Sequence, residues 1–137
     1  MGTVYAEITL KNAIDNGNYD RGLIKEEDVR SITVTAIVDT GAMSLVITEE
    51  LRQKLGLAIR GEKPVLIANG QRMSGKITEP VEICWKNRFS SQNAVVIPGA
   101  EKVLLGAIAL EDMDLIVNPV TRELVGAHGD IAETMAL

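Results

Sequence analysis

The sequence is poor in residues that cross-link a chain or bind metals. Its 137 residues include one cysteine, Cys84, and one histidine, His128. One cysteine cannot form an intrachain disulfide, and this pair alone cannot complete a zinc site of the usual His/Cys type. We therefore expect no metal centre, and we interpret Cys84 as a buried, inert strand residue and His128 as a surface residue.

Concentrated positive charge and long hydrophobic runs are missing as well. The 14 Lys and Arg are outnumbered by 19 Asp and Glu, which gives a net charge of -5, and no basic cluster is present to bind nucleic-acid phosphates. No stretch approaches the roughly 18 apolar residues of a membrane span. Residues 1–20 lack the basic region and apolar run of a signal peptide. These absences predict a cytoplasmic protein with no nucleic-acid or membrane partner.

The overall composition is typical of a globular protein. Hydrophobic residues make up 46% of the chain and charged residues 24%. A chain of this length fits one domain. We predict a single domain over residues 1–137, with a core at about 3–118 and an extra C-terminal segment at about 119–137.

Alternating apolar residues predict a mainly β fold. The period of two over Val4–Leu10 and Ile32–Val38 indicates two half-buried strands. Residues 12–28 are rich in Asn, Asp, Gly and charge and predict a loop, with a short helical turn at Lys25–Asp28. Further strands are expected at Leu45–Ile47, Val65–Ala68, from Gln71 to about Ile77, and at Val81–Trp85, Ala94–Ile97, Val103–Leu105, Leu115–Val117 and Glu123–Val125.

One or two short helices are expected between the strands. Thr48 caps the first, which carries acidic residues in its first turn and ends at Gly56. The second covers Ala107–Met113 and has Ile108 on its buried side. The tail, Ala127–Leu137, is expected to be partly helical or frayed.

The residues that point to chemistry lie where two apolar strands end at a turn with glycine. Ile37-Val38-Asp39-Thr40-Gly41-Ala42 places a carboxylate after a strand, and Val103-Leu104-Leu105-Gly106 repeats the strand-to-glycine shape before a helix. Between them, Asn69-Gly70 is a strong hairpin turn. This order, over about 33–117, resembles the retroviral-type (retropepsin-like) aspartic proteases. The resemblance implies a closed β-barrel-like acid-protease fold that forms a homodimer.

The resemblance also implies a role for each part of the pattern. Asp39 is then the catalytic residue, and its loop is supported by Thr40, Gly41, Ala42, Leu104, Leu105 and Gly106. Ala68, Asn69, Gly70 and Gln71 form a flap over the substrate, with Gly70 and Gly75 as sources of mobility. No metal or organic cofactor is implied.

One such motif per chain fits the chemistry only if two chains combine. A single carboxylate cannot be general base and general acid in the same addition to a peptide bond, whereas two that share a proton can. A homodimer would place Asp39 beside its symmetry mate. We therefore expect an aspartic endopeptidase that activates a water between two Asp39 carboxylates to cleave a peptide or protein substrate. Ala42 stands where pepsin-like enzymes often have Ser, so activity nearer neutral pH than pepsin's is expected.

Other functions stay open at this point. The same fold could serve as a dimeric peptide-binding or scaffold module with an unused dyad, although an intact Asp39-Thr40-Gly41 favours the protease. Asp39 could also be an ordinary turn residue, in a β domain of another family with a chance motif. Four apolar residues near the motif predict a hydrophobic cleft: Met43, Ile67, Met73 and Ile97. The 18-residue connection Asn12–Val29 departs from the family pattern.

Overall fold

β-Strands make up most of the computed structural model, which describes residues 2–134. The strands are β1 (Val4–Asn12), β2 (Ser31–Val38), β3 (Val46–Ile47), β4 (Ile59–Leu66), β5 (Arg72–Trp85), β6 (Arg88–Val96), β7 (Val103–Leu105), β8 (Leu115–Asn118) and β9 (Glu123–Gly126). The described residues also form the helices α1 (Ala13–Asp20), α2 (Glu49–Lys54) and α3 (Ala107–Asp112), and a 3₁₀ turn at Glu26–Asp28. The mainly β class is confirmed, with one short helix more than expected.

Six of the strands close into a barrel. They lie in the order β1-β2-β7-β3-β6-β5, and β5 pairs with β1 to complete the ring. β1 is antiparallel to β2 and, through Thr9 opposite Cys84, to the second half of β5. β7 lies between β2 and β3, parallel to the first and antiparallel to the second. The closed barrel predicted by the family resemblance is therefore confirmed.

The strand β5 belongs to two structures at once. Its second half is part of the barrel, whereas its first half pairs with β4 in a hairpin from Leu66 opposite Arg72 to Gly61 opposite Ile77. The strand predicted at Val65–Ala68 begins earlier, at Ile59, and ends at Leu66. The two strands predicted from Gln71 to about Ile77 and at Val81–Trp85 are one continuous strand, so these bounds were wrong. Most of β4 is exposed, so its sequence shows no apolar alternation, and it is a strand because β5 pairs with it.

Aliphatic side chains fill the barrel interior. The largest fully buried ones are Ile8, Leu10, Leu45, Ile47, Leu55, Leu57, Ile83, Leu105 and Met113. Burial of each contributes about 2 kcal/mol to folding. Leu105 pairs with Val38 at the end of β2, and Leu45 follows the next loop in the sequence. Both are fully buried, so the core anchors the chain before and after that loop.

The predicted loop at 12–28 contains α1. The Asn12 side chain accepts a hydrogen bond from the Asp15 backbone N–H (3.0 Å) and donates one to the Leu55 carbonyl (2.8 Å). Arg30 donates to both Asp15 oxygens, at 2.8 and 3.0 Å, and this pairing lowers the pKa of Asp15. The sequence of α1 is rich in Asn and Gly, which are poor helix formers. Contacts with distant residues therefore hold this helix, and the local sequence could not reveal it.

Two details of the C-terminal half differ from expectation. In α3, Met113 and Leu110 are buried, but Ile108 is 44% exposed, so its predicted burial was wrong. Residues 127–134 contain no helix, and residues 135–137 lie outside the described part of the chain. None of the helices described is both long and apolar enough to cross a membrane.

The tail after β9 is fastened to the barrel by hydrogen bonds. Buried Arg88 donates to the carbonyls of Met113 (2.8 Å), Asp114 (2.7 Å) and Gly129. His128 Nδ1 lies 2.9 Å from both Asp114 carboxylate oxygens. The pairing lowers the pKa of Asp114 and raises that of His128.

Candidate active site

Asp39 lies in a tight turn directly after β2. Val38, the last residue of β2, pairs with Leu105, and the Asp39 N–H donates to the Leu105 carbonyl (2.9 Å). The Gly41 N–H donates to Asp39 Oδ1 (2.9 Å), and the Ala42 N–H donates to the Asp39 carbonyl (3.1 Å). These bonds fix both the backbone and the carboxylate of Asp39. An ordinary turn aspartate makes similar bonds, so the surroundings must decide its role.

The start of α3 supports this loop from beneath. A Cβ placed on Gly106 would lie 2.7 Å from the Ala42 carbonyl oxygen and 2.8 Å from that of Met43. The N–H groups of Ala107 and Ile108 donate to those two carbonyls, at 2.7 and 3.1 Å. Gly106 is therefore required for close backbone contact, and Leu105 and Gly106 act beneath the loop as buried support.

A cavity of about 590 Å³ opens beside Asp39. Its floor consists of loop residues, namely Asp39, Gly41, Ala42, Met43 and Ser44. Its barrel side is apolar and is formed by Val46, Val95, Ile97 and Leu104. The hairpin covers it with the segment Lys63–Ala68. The carboxylate thus faces an apolar cleft between the barrel and the hairpin, which is a suitable space for an extended peptide.

The structure brings some of the predicted site residues to this cleft and leaves others outside it. Asp39, Gly41, Ala42, Ala68 and Leu104 line the cavity, whereas Thr40 is exposed beside it. Of the four residues predicted to form a hydrophobic cleft, Met43, Ile67 and Ile97 do so. Met73 instead lines a separate depression on the hairpin, so its predicted place in the cleft was wrong.

The predicted flap tip is a self-contained turn. Asn69, Gly70 and Gln71 form the turn and do not line the cavity. The Asn69 side chain accepts from the Gln71 N–H (2.9 Å), and the Gly70 N–H donates to the Ile67 carbonyl (2.9 Å). Gly70 has a φ of 84°, in the left-handed region that glycine adopts without strain. The turn conformation therefore explains why residue 70 is a glycine.

Gly75 has a role in packing, whereas the sequence suggested a role in mobility. A Cβ on Gly75 would lie 2.6 Å from Cγ2 of Val65 and 2.9 Å from Cγ1 of Val95. Val95 belongs to the barrel and Val65 to the hairpin. Gly75 thus lets the hairpin pack closely on the barrel at the edge of the cleft.

The sequence reasoning missed most of the hairpin's contribution to the cleft. Lys63, Val65 and Leu66 line the cavity beside the expected Ala68, and Val46 and Val95 were missed on the barrel side. One signal was present: a hairpin turn at Asn69-Gly70 places the residues just before it opposite those just after it. From that turn, the pairing of the two strands could have been extended residue by residue, and this would have placed the hairpin residues without any hydrophobic pattern.

Groups that could bind a metal or act as nucleophiles are scarce elsewhere in the described residues. No three His, Cys, Asp or Glu side chains within 2–134 lie close enough together to hold a metal ion. Cys84 is partly buried, and burial raises the pKa of its thiol. The thiolate is the reactive form, so Cys84 has no sign of catalytic activation.

Comparisons with known proteins agree with this geometry. Residues 26–120 match the model of a family described as aspartyl protease. The crystal structure of the retroviral protease-like domain of Ddi1 from Leishmania major is similar with a TM-score of 0.57 and 14% identity, over 98% of this chain and 96% of that one. The EIAV protease complexed with the inhibitor HBY-793 has a TM-score of 0.48 and 23% identity, over 58% of this chain and 76% of that one. At 14% identity, the first likeness is one of fold. No curated protein matches the sequence.

Proposed function

The chain belongs to the aspartyl protease family and has a retropepsin-like fold, and we propose that it is an aspartic endopeptidase that acts as a homodimer. One observation carries this proposal. The Asp39 carboxylate, oriented by the Gly41 N–H, lies on the floor of an apolar cleft covered by a hairpin. An ordinary turn aspartate needs no such cleft.

A second copy of the chain supplies the second carboxylate. Asp39 is the one acidic residue among those that line the described cavity, and peptide hydrolysis by this route needs a base and an acid together. Two exposed apolar residues lie beside the Asp39 loop: Met43 is 69% exposed and Ile108 44%. A partner chain that covered them would remove this apolar surface from water. The same contact would bring its own Asp39 to the site.

The two carboxylates share one proton because two negative charges at about 3 Å repel each other strongly. The ionised Asp39 takes a proton from a bound water, and the water oxygen attacks the carbonyl carbon of the scissile bond. The protonated Asp39 gives its proton to the carbonyl oxygen. When the C–N bond breaks, the carboxyl that took the water proton gives it to the leaving amine. The other carboxylate takes a proton from a hydroxyl of the tetrahedral intermediate as the C=O bond re-forms, so the dyad again holds one proton.

The surrounding residues bind the substrate and position the dyad. The exposed Thr40 hydroxyl makes no hydrogen bond within residues 2–134, and it is free to bond to the partner chain. The hairpin closes over an extended peptide and excludes water from the reaction. Leu104 and Ile97 offer apolar contacts for the side chains of that peptide.

Cleavage of a diverse peptide library between pH 3 and 8 tests the proposal. The wild type is compared with Asp39→Asn and with Asp112→Asn, a matched change of an exposed aspartate in α3. Wild type and Asp112→Asn should cleave the same peptides, and Asp39→Asn should cleave none. Activity that rises faster than linearly with protein concentration in the dilute range would support the dimer.

Two results would contradict the proposal. Equal cleavage by Asp39→Asn would mean that another residue or a contaminant does the chemistry. No cleavage by a protein that light scattering shows to be a dimer, and that binds peptides, would favour the scaffold or binding module with an unused dyad.

A further inference from the structure

The hairpin that covers the cleft is basic although the chain is acidic. Its residues 59–76 contain four basic residues, Arg60, Lys63, Arg72 and Lys76, and one acidic residue, Glu62. The whole chain has a net charge of -5. Positive charge is thus concentrated on the element that would close over a substrate, and this raises the local concentration of negatively charged partners.

The strand register separates the faces of the hairpin. Residues directly opposite each other on antiparallel strands point to the same face. Lys63 is opposite Gly75, whose face packs against the barrel residue Val95. Lys76 is opposite Glu62, and in the sequence Lys76 directly follows Gly75 and Glu62 directly precedes Lys63. Because successive side chains of a strand point to opposite faces, Lys76 lies on the outer face of the hairpin. Of the four basic residues, Lys63 is the one that lines the described cavity with Asp39.

Lys63 has no partner within the described residues. Some basic side chains form ion pairs, namely Arg30 with Asp15, Arg52 with Glu49 and Lys54 with Glu50, whereas the basic residues of the hairpin form none within the described residues. Lys63 makes no ion pair or side-chain hydrogen bond with any residue of 2–134. Apart from Asp39, the remaining residues that line the cleft carry no charge. A cation with no partner at an apolar cleft is suited to an anionic group of the ligand.

We propose that Lys63 determines specificity by selecting substrates that carry an Asp or Glu side chain on the hairpin side of the cleft. This inference rests on the proposed protease function and names its substrate class. The negative charge of the dyad disfavours an acidic side chain at the scissile bond itself. The two charges together favour an acidic residue at a distance from the bond, under Lys63.

Matched peptide pairs measure this preference. A cleaved peptide with acetylated and amidated ends is varied by Glu or Gln at each position in turn, and kcat/KM is determined for each pair. In the wild type, we expect kcat/KM to be about fivefold higher with Glu than with Gln at one position or more. A ratio of this size corresponds to the free energy of one partly exposed ion pair. In Lys63→Gln, the Glu and Gln peptides should be cleaved equally well, and in Lys63→Glu, the Gln peptide should be preferred. A rise in salt from about 0.05 to 0.5 M should weaken the preference.

Lys76→Gln is the control, because it removes a charge from the same hairpin on the outer face. It should keep the wild-type ratio. Cleavage without any Glu preference, or a preference lost in Lys76→Gln and kept in Lys63→Gln, would overturn the role of Lys63 while the protease function stands.

The preference can be measured without turnover as well. Fluorescence anisotropy with the same labelled peptide pairs and the Asp39→Asn protein gives the Kd ratio of Glu to Gln. A Lys63-dependent ratio would support the inference even if the wild type cleaved nothing. Equal Kd values for all pairs would overturn it.

Discussion

Gly106 and Ala42 are in direct backbone contact, since a Cβ on Gly106 would lie 2.7 Å from the Ala42 carbonyl oxygen. The contact joins the two strand-to-glycine segments that the sequence displays far apart. The φ of Gly106 is -97°, a value open to any residue. A glycine is therefore needed at position 106 because a side chain would collide with the Asp39 loop, and not because of the backbone conformation.

Gly106→Ala should damage the site more than an ordinary glycine replacement. The added methyl group pushes the Asp39 loop away from α3, with a loss of about 2 kcal/mol in the free energy of unfolding, as is usual for overpacking. Urea unfolding measures the stability, and kcat on a cleaved peptide measures the loop position. Gly61→Ala is the control, because nothing lies within 4 Å of a Cβ there. Equal effects of the two changes would contradict the contact.

Gly75→Ala should lift the hairpin from the barrel. Its Cβ would meet the side chains of Val65 and Val95, so the cleft widens and KM rises several-fold. The double change with Val65→Ala removes one of the clashing groups and should restore part of the wild-type KM, because neighbouring changes are not additive. An unchanged KM for Gly75→Ala, or no recovery in the double variant, would show that the hairpin does not depend on this packing.

Ala42→Ser should move the activity profile to lower pH. A serine hydroxyl that donates to the Asp39 carboxylate stabilises its ionised form and lowers the pKa of the dyad. The acidic limb of kcat/KM against pH should therefore shift downward relative to the wild type, while Ala58→Ser on the exposed surface leaves it unchanged. A wild-type profile that already peaks below about pH 3, as in pepsin-like dyads with low pKa values, would refute the reasoning.

The attachment of the tail should depend on pH through His128 and Asp114. Pairing raises the pKa of His128, so its stabilisation is complete below the pKa of an unfolded histidine and is lost as pH rises through the folded value. Asp114 has a lowered pKa, so its share is complete above the pKa of an unfolded aspartate and is lost as pH falls through the folded value. Glu133, whose backbone N–H donates to Asp114, and Arg88 also face the pair.

Hydrogen exchange of residues 126–134 measures this attachment. Intrinsic exchange rates are corrected for pH, and protection should be higher at about pH 6 than at about pH 8.5. His128→Asn should remove the difference and leave the barrel amides unaffected. Equal protection of the wild-type tail at both pH values would show that hydrogen bonds other than that of His128, such as those of Arg88 and Asn87, hold it.

The parts of the fold that could be predicted are those specified by short local patterns. Thr48, whose hydroxyl accepts from the Leu51 N–H (3.1 Å), caps α2 as expected, and Gly56 ends it with a φ of 65°. The alternation in β1 and β2 was equally reliable because one side of each strand faces the core. The placement of Asp39 after β2 followed from the same pattern.

The parts that could not be predicted depend on distant residues. α1 is held by hydrogen bonds with Leu55 and Arg30, which lie too far along the chain to form part of a local sequence pattern. Lys63 lies in an exposed strand with no periodic signal, and only its pairing with Gly75 places it at the cleft. Ile108 has an apolar side chain at a helical position suited to burial, yet it is 44% exposed, and no local pattern distinguishes it from the buried Leu110 of the same helix.

The hydrogen bond from Asp39 to Leu105 has a consequence for protein synthesis. A ribosome makes the Asp39 segment early, but the carbonyl that anchors it, and the N–H groups of Ala107 and Ile108 that hold its loop, are added far later. Until those residues have left the exit tunnel, the nascent chain carries its carboxylate on an unanchored strand end. The cleft beside Asp39 can therefore form only after β7 and the start of α3 have been translated.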